Sequence, residues 1–242
     1  LRRCSRNHKS ALMPIHLIFD LLAASLAFAA AAAAYRWRIK DSAGFATIDT
    51  GYALALVAGA ALGGYVLGTL NLVLSSQPSV GRSILGAIAG AILAIELYKA
   101  YRGIRTSTGL IFVASFPVSI IVGRIGCYLS GLPDMTYGTP TSAPWGHDFG
   151  DGIARHPVQL YESFLMFLFV IFAVFAAKRR DPFFMANGFY LMIGYYAAQR
   201  FVLEFFKPYA TILGPLNLFH LVCLSLLAYA FTMMWRGWDV RT

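Results

Sequence analysis

Seven apolar stretches, at approximately 14–35, 51–74, 83–101, 108–128, 157–177, 184–206 and 212–235, constrain this chain more than any other feature. Each is close to the roughly 20 residues that an α-helix needs to cross about 30 Å of hydrocarbon. Lipid offers no partner for backbone polar groups, so stretches of this length must be helices. The fold class expected is an all-α membrane protein, a polytopic bundle of about seven transmembrane helices with an extended loop on the periplasmic side. A basic tail over 1–13 precedes one membrane domain over 14–242, and a polar loop over 129–155 interrupts it. The composition, 58% hydrophobic and 13% charged, excludes an ordinary soluble domain of this length.

The net charge of +9 does not point to nucleic acid. The basic residues lie between the apolar stretches rather than on one aromatic-laced patch. Eleven fall on the side holding the C-terminus: Arg36, Arg38, Lys40, Lys99, Arg102, Arg105, Lys178, Arg179, Arg180, Arg236 and Arg241. Seven fall on the other, namely Arg82, Arg155, Lys207 and the tail residues Arg2, Arg3, Arg6 and Lys9. The positive-inside rule then places the C-terminus in the cytoplasm and the N-terminus in the periplasm. The basic tail opposes that orientation, and a start at Met13 rather than Leu1 would remove the conflict. Three cysteines, Cys4, Cys127 and Cys223, show no paired spacing, so neither a disulfide framework, a metal site nor a cofactor is expected.

Between the fourth and fifth stretches runs PDMTYGTPTSAPWGHDFGDGIARHP. A loop of about 25 residues in a small protein is either functional or disordered. Tyr137, Trp145 and Phe149 favour order at the headgroup level. Gly59, Gly63, Gly64 and Gly68, with Gly86 and Gly90, form small-xxx-small patterns that let membrane helices approach closely.

Charged residues inside the stretches carry the chemistry. Burying the Arg124 guanidinium of Gly123-Arg124-Ile125-Gly126 costs on the order of 3 kcal/mol on insertion scales. Either it snorkels, pairs with a carboxylate, or binds a phosphate with its planar fork, with Gly123 and Gly126 exposing backbone beside it. His156-Pro157-Val158-Gln159-Leu160-Tyr161-Glu162 reads as a helix start with Pro157 at the first helical position. Gln159 and Glu162 share one helical side, and Glu162 needs a cation, with Arg124 or Arg200 as candidates. Tyr196, Arg200, Glu204 and Lys207 fall on one face of the sixth stretch. Arg200 and Glu204 either neutralise each other or join Arg124, His156 and Glu162 in one headgroup cavity.

GRIG at 123–126, HPVQLYE at 156–162 and RFVLEFFKP at 200–208, in this order on seven spans, resemble the bacterial prolipoprotein diacylglyceryl transferases. The resemblance covers roughly residues 80–210. It implies transfer of a diacylglyceryl group from phosphatidylglycerol, or a related anionic phospholipid, to the lipobox cysteine of a prolipoprotein signal peptide, releasing glycerol phosphate. It also implies a site in the bacterial inner membrane, with Arg124 and Arg200 on the phospholipid headgroup and Gly138 matching a family glycine. His156 and Glu162 join the two arginines as candidate catalytic residues, and Gly123, Gly126, Gly138, Gln159, Tyr161, Tyr196 and Glu204 as candidate substrate contacts. The chain departs from the family at Cys127, where the family has Asn, and at Leu85, where Ser83–Ala87 align with its Ser-Phe-His-Gly-Gly. These departures keep two alternatives open: a paralogue using the same donor with another acceptor, and a non-catalytic phospholipid-binding membrane protein. Cys127 is either a tolerated small residue or a nucleophile beside Arg124.

Overall fold

A computed structural model describes residues 2–40, 48–76 and 79–239; the side chains of the basic tail through residue 14, and those beyond 236, lie outside the described ones. The chain is built from α1 (Arg2–Ala34), α2 (Thr50–Leu74), α3 (Ile84–Arg102), α4 (Phe112–Ser130), α5 (Val158–Lys178), α6 (Pro182–Glu204) and α7 (Leu218–Asp239). Two small antiparallel hairpins interrupt them: β1 (His147–Asp148) with β2 (Ala154–Arg155), and β3 (Thr211–Leu213) with β4 (Leu216–Asn217). The all-α polytopic class expected from the apolar stretches is the class observed.

Among the described residues, six helices are long and apolar enough to cross a membrane, in segments Ile15–Ile39, Thr50–Leu74, Ile84–Arg102, Gly109–Ser130, Val158–Lys178 and Leu218–Arg236. The seventh, α6, is long enough but diluted by Asn187, Gln199, Arg200 and Glu204, all of them buried. Local chemistry sets several boundaries. Asp49 caps α2 by accepting from Tyr52 N at 2.8 Å, and Ser83 caps α3 through Gly86 N at 3.1 Å. Gly103 closes α3 at φ 69, a left-handed conformation that glycine adopts without Cβ strain.

Besides α1, whose helix reaches back through the tail to Arg2, three boundaries differ from the sequence reading. The last helix starts at Leu218 rather than near 212, because Gly214, at φ 56, turns the β3–β4 hairpin first. Pro157 caps α5 from outside, its carbonyl accepting from Leu160 N at 2.9 Å, and Val158 is the first helical residue. α6 ends at Glu204, so Lys207 does not continue the face of Tyr196, Arg200 and Glu204; Pro208 disfavours helix at the residue before it.

The chain divides into two compact units. The first comprises residues 1–39, 111–185 and 205–208. In it α4 packs on α1 and on α5. Gly126 permits the α1–α4 approach: a Cβ there would lie 2.5 Å from Phe19 Cβ. The second comprises residues 40–110, 186–204 and 209–242. Its α2 and α3 are glycine-faced where they meet, and a Cβ on Gly63 or Gly90 would fall 2.3 Å from Gly86 O or 2.2 Å from Gly59 O. In lipid such close packing replaces the missing hydrophobic drive between helices.

Candidate functional site: two buried arginine–carboxylate pairs

In the first unit, α4 and α5 bring together two of the residues singled out above. Arg124 Nε lies 2.9 Å from Glu162 Oε2, with side chains 6% and 0% exposed. Of the two cations open to Glu162 in the sequence, Arg124 is therefore a partner, and the carboxylate-pairing alternative for Arg124 is realised. Leaving either charge buried alone would cost about 3–5 kcal/mol. Gly123 and Gly126 flank the guanidinium differently. A Cβ on Gly123 would meet nothing within 4 Å, whereas Gly126 is filled by Phe19. Of the two, only Gly123 has open space at its Cβ position.

One turn before Glu162, the buried Gln159 donates through Nε2 to Thr136 Oγ1 at 3.2 Å. Its Oε1 is buried and has no hydrogen-bond partner among the described residues. Thr136 in turn donates to Asp134 Oδ2, and Asp134 Oδ1 pairs with His16 Nε2 at 2.6 Å. The thiol of Cys127 neighbours Arg124 and Asp134. A polar chain thus runs from α1 through the turn after α4 to α5.

His156, Tyr161 and Gly138 form a separate assembly at the start of α5. His156 Nδ1 lies 3.2 Å from Tyr161 Oη, and its ring meets Phe206 at 4.9 Å between centroids. Tyr161 Oη also accepts from Trp145 Nε1 at 2.7 Å. Gly138 N donates to His156 O at 3.1 Å, and a Cβ there would lie 2.5 Å from that oxygen. Gly138 is a close-packing glycine under the polar loop. The loop itself is ordered by short-range chemistry: Asp148 Oδ1 accepts from the N–H groups of Gly150, Asp151 and Gly152, at 2.8, 3.0 and 3.0 Å. Arg155 grips both Asp151 oxygens at 2.6 and 2.7 Å and stacks over Tyr137. That pairing holds the Asp151 carboxyl below its ordinary value and the Arg155 guanidinium above its own; the backbone donors do the same to Asp148.

In the second unit, Arg200 Nη2 lies 3.0 Å from Glu204 Oε2 on the same helix, with side chains 5% and 0% exposed. Glu204 Oε1 accepts from Asn217 Nδ2 at 3.2 Å. Asn217 caps α7, its Oδ1 accepting from His220 N at 3.1 Å, and the His220 ring meets Phe201 edge-on. Tyr196 is fully buried one turn before Arg200. The i,i+4 neutralisation foreseen for Arg200 and Glu204 is thus present. Glu96, also charged within an apolar stretch, is matched by Lys99 Nζ at 3.0 Å and Tyr229 Oη at 2.8 Å.

Sequence reasoning missed the links made by His16, Asp134, Thr136, Asn217 and His220. His16 and Asp134 are 118 residues apart, and no spacing rule joins them. Asn217 and His220, three apart, carried a capping signal ahead of an apolar run.

The chain is similar to curated proteins named phosphatidylglycerol–prolipoprotein diacylglyceryl transferase. That of Methylococcus capsulatus is 30% identical over 171 residues, covering 67% of this chain and 63% of the relative. That of Campylobacter jejuni is 34% identical over 130 residues, covering 52% and 45%. That of Oleidesulfovibrio alaskensis is 36% identical over 136 residues, covering 52% and 47%. The chain therefore spans less than two thirds of the length of these relatives, and about half for the latter two. No solved structure matches it. The sequence model of prolipoprotein diacylglyceryl transferase matches residues 14–236, nearly the whole chain, and with six apolar helices this multi-pass membrane protein belongs to that family.

Proposed function

We propose that this protein transfers the diacylglyceryl group of phosphatidylglycerol to the lipobox cysteine thiol of a prolipoprotein, with release of glycerol phosphate. The observation that carries the proposal is Arg124: a guanidinium buried in a membrane-spanning helix and held by Glu162. A fixed cation in a dry site stabilises charge that develops during a reaction far more than the same cation in water. The charge that develops here is on the departing phosphate oxygen as the glycerol C–O bond breaks. Glu162 is a positioning residue, fixing the fork of Arg124. We assign the same headgroup chemistry to Arg200, held by Glu204.

Gln159 supports the choice of headgroup. Its buried Oε1 is an acceptor in want of a donor, and the hydroxyls of a glycerol headgroup are donors. A Gln159→Leu variant, which removes both that acceptor and the bond to Thr136, is expected to raise the KM for phosphatidylglycerol about tenfold and to lower kcat as well. The orientation that fits an exported acceptor is the one favoured by the positive-inside rule, in the inner membrane with the N-terminus periplasmic.

The test is complementation. Cells depleted of their own transferase receive this protein, and a lipobox peptide is examined by mass spectrometry for a diacylglyceryl thioether. Its appearance supports the transfer; its absence, with phospholipid still bound to the purified protein, supports the non-catalytic binding alternative.

A further inference from the structure

Transfer to a thiol, the reaction proposed above, needs a group to take the thiol proton, because a cysteine with a pKa of about 8.5 is only a few per cent ionised at neutral pH. Four groups of the first unit come into question: three in or beside the polar chain around Arg124, and His156 in the assembly at the start of α5. Glu162 is fully buried and committed to the guanidinium. His156 is engaged with Tyr161 and packed on Phe206. Cys127 is itself a thiol and would first have to lose its own proton to a base. His16 is different. Its Nε2 sits 2.6 Å from Asp134 Oδ1, and its side chain is 31% exposed against 11% for its partner.

We propose that His16, oriented by Asp134, is the base that deprotonates the acceptor thiol. A histidine whose one nitrogen donates to a carboxylate presents the other as an acceptor and is steadied once protonated, which is the logic by which a base activates a nucleophile. Here Nε2 faces Asp134, so Nδ1 is the accepting nitrogen. The carboxylate is held from its other side by the Thr136 hydroxyl, itself fixed by Gln159. His16 lies near the N-terminal end of the apolar stretch over about 14–35, and about a third of its side chain is exposed, so a thiol at the membrane surface can reach it. In the step, the S–H proton passes to Nδ1 and the sulfur lone pair forms the S–C bond. The C–O bond to phosphate breaks with its electron pair staying on the glycerol phosphate oxygen. The proton then leaves His16 for that phosphate or for water. Besides Asp134, the ionisable groups tied to the pair are Cys127 on α4, which neighbours Asp134 and is itself acted on by Arg124 and Glu162, and Asp20 one turn along α1.

The experiment uses the full chain in phosphatidylglycerol nanodiscs with a synthetic lipobox peptide bearing a single cysteine, thioether formation being followed by mass spectrometry at pH 7 and pH 9. In His16→Gln the amide nitrogen still donates to Asp134 but no base remains. Its rate is expected to fall about 100-fold at pH 7 and to recover to within about fivefold of the parent at pH 9, where the solvent ionises the thiol. Asp134→Asn should fall about tenfold at pH 7, with the same recovery. A His16→Gln rate equal to the parent at pH 7, or a deficit of the same size at both pH values, overturns the assignment. Should His16→Gln not fold, judged by lost phospholipid retention, Asp134→Asn decides by the same recovery. A parent protein that retains phosphatidylglycerol but modifies no peptide at either pH overturns the transfer reaction and the base with it; an active parent beside a pH-independent deficit overturns the base alone.

Discussion

The two buried arginine–carboxylate pairs are built differently. Arg124 and Glu162 come from different helices, so their pairing fixes how α4 sits against α5. Arg200 and Glu204 are successive turns of one helix, and the pair forms as soon as α6 does, with Asn217 adding a bond from the start of α7. A local pair neutralises charge without defining tertiary structure. A pair between helices does both, and the first unit surrounds it with a polar chain from His16 to Gln159.

If that contrast is right, substitutions in the first pair carry the larger cost. Arg124→Ala removes the cation from the reaction and leaves Glu162 buried against a lost partner, so transfer is expected to fall at least about 1,000-fold and stability by about 3–5 kcal/mol, read from peptide modification and from unfolding in detergent. Glu204→Gln keeps an amide oxygen for Asn217, and its stability loss is expected to be about 1–3 kcal/mol; a loss larger than that of Arg124→Ala would reverse the comparison.

Smaller effects test the packing around the first pair. Gly126→Leu must push α1 from α4 at Phe19 and should cost about 1–3 kcal/mol, while Gly123→Ala, with open space around it, should stay within about 0.5 kcal/mol. The smallest effect is expected in the polar loop. Asp151 is held below the ordinary carboxylate range by Arg155, so the bond stabilises the β1–β2 hairpin above the unfolded pKa of about 3.9 and is lost as pH falls through the lower folded value. Hydrogen exchange at Ile153, whose N–H donates to Asp151, should therefore be unchanged from pH 7 to 5 after correction for intrinsic rates and lose protection only below about pH 4.

These same contrasts explain what the sequence could and could not show. Helix positions were legible because lipid demands about 20 apolar residues, and α6 was legible too although it carries polar residues inward. Arg200–Glu204 was legible from its spacing of four. For Glu162 the sequence narrowed the cation to Arg124 or Arg200, and tertiary packing put Arg124 beside it. The His16–Asp134 link was invisible, because two polar residues 118 positions apart acquire meaning only when α1 packs on α4. The glycines beside Arg124 looked equivalent in sequence and are not: Gly126 serves α1, and Gly123 leaves space.

The central claim is that Arg124 acts on the phospholipid and Glu162 only holds it. The double variant Arg124→Glu, Glu162→Arg restores opposite charges across α4 and α5 with the cation moved to the wrong helix. Compared with Arg124→Ala, it should regain most of the lost unfolding stability while peptide modification stays at the background level. Return of modification to within tenfold of the parent would contradict the account, because it would mean that a neutral pair, rather than a guanidinium at this position, is all the reaction requires.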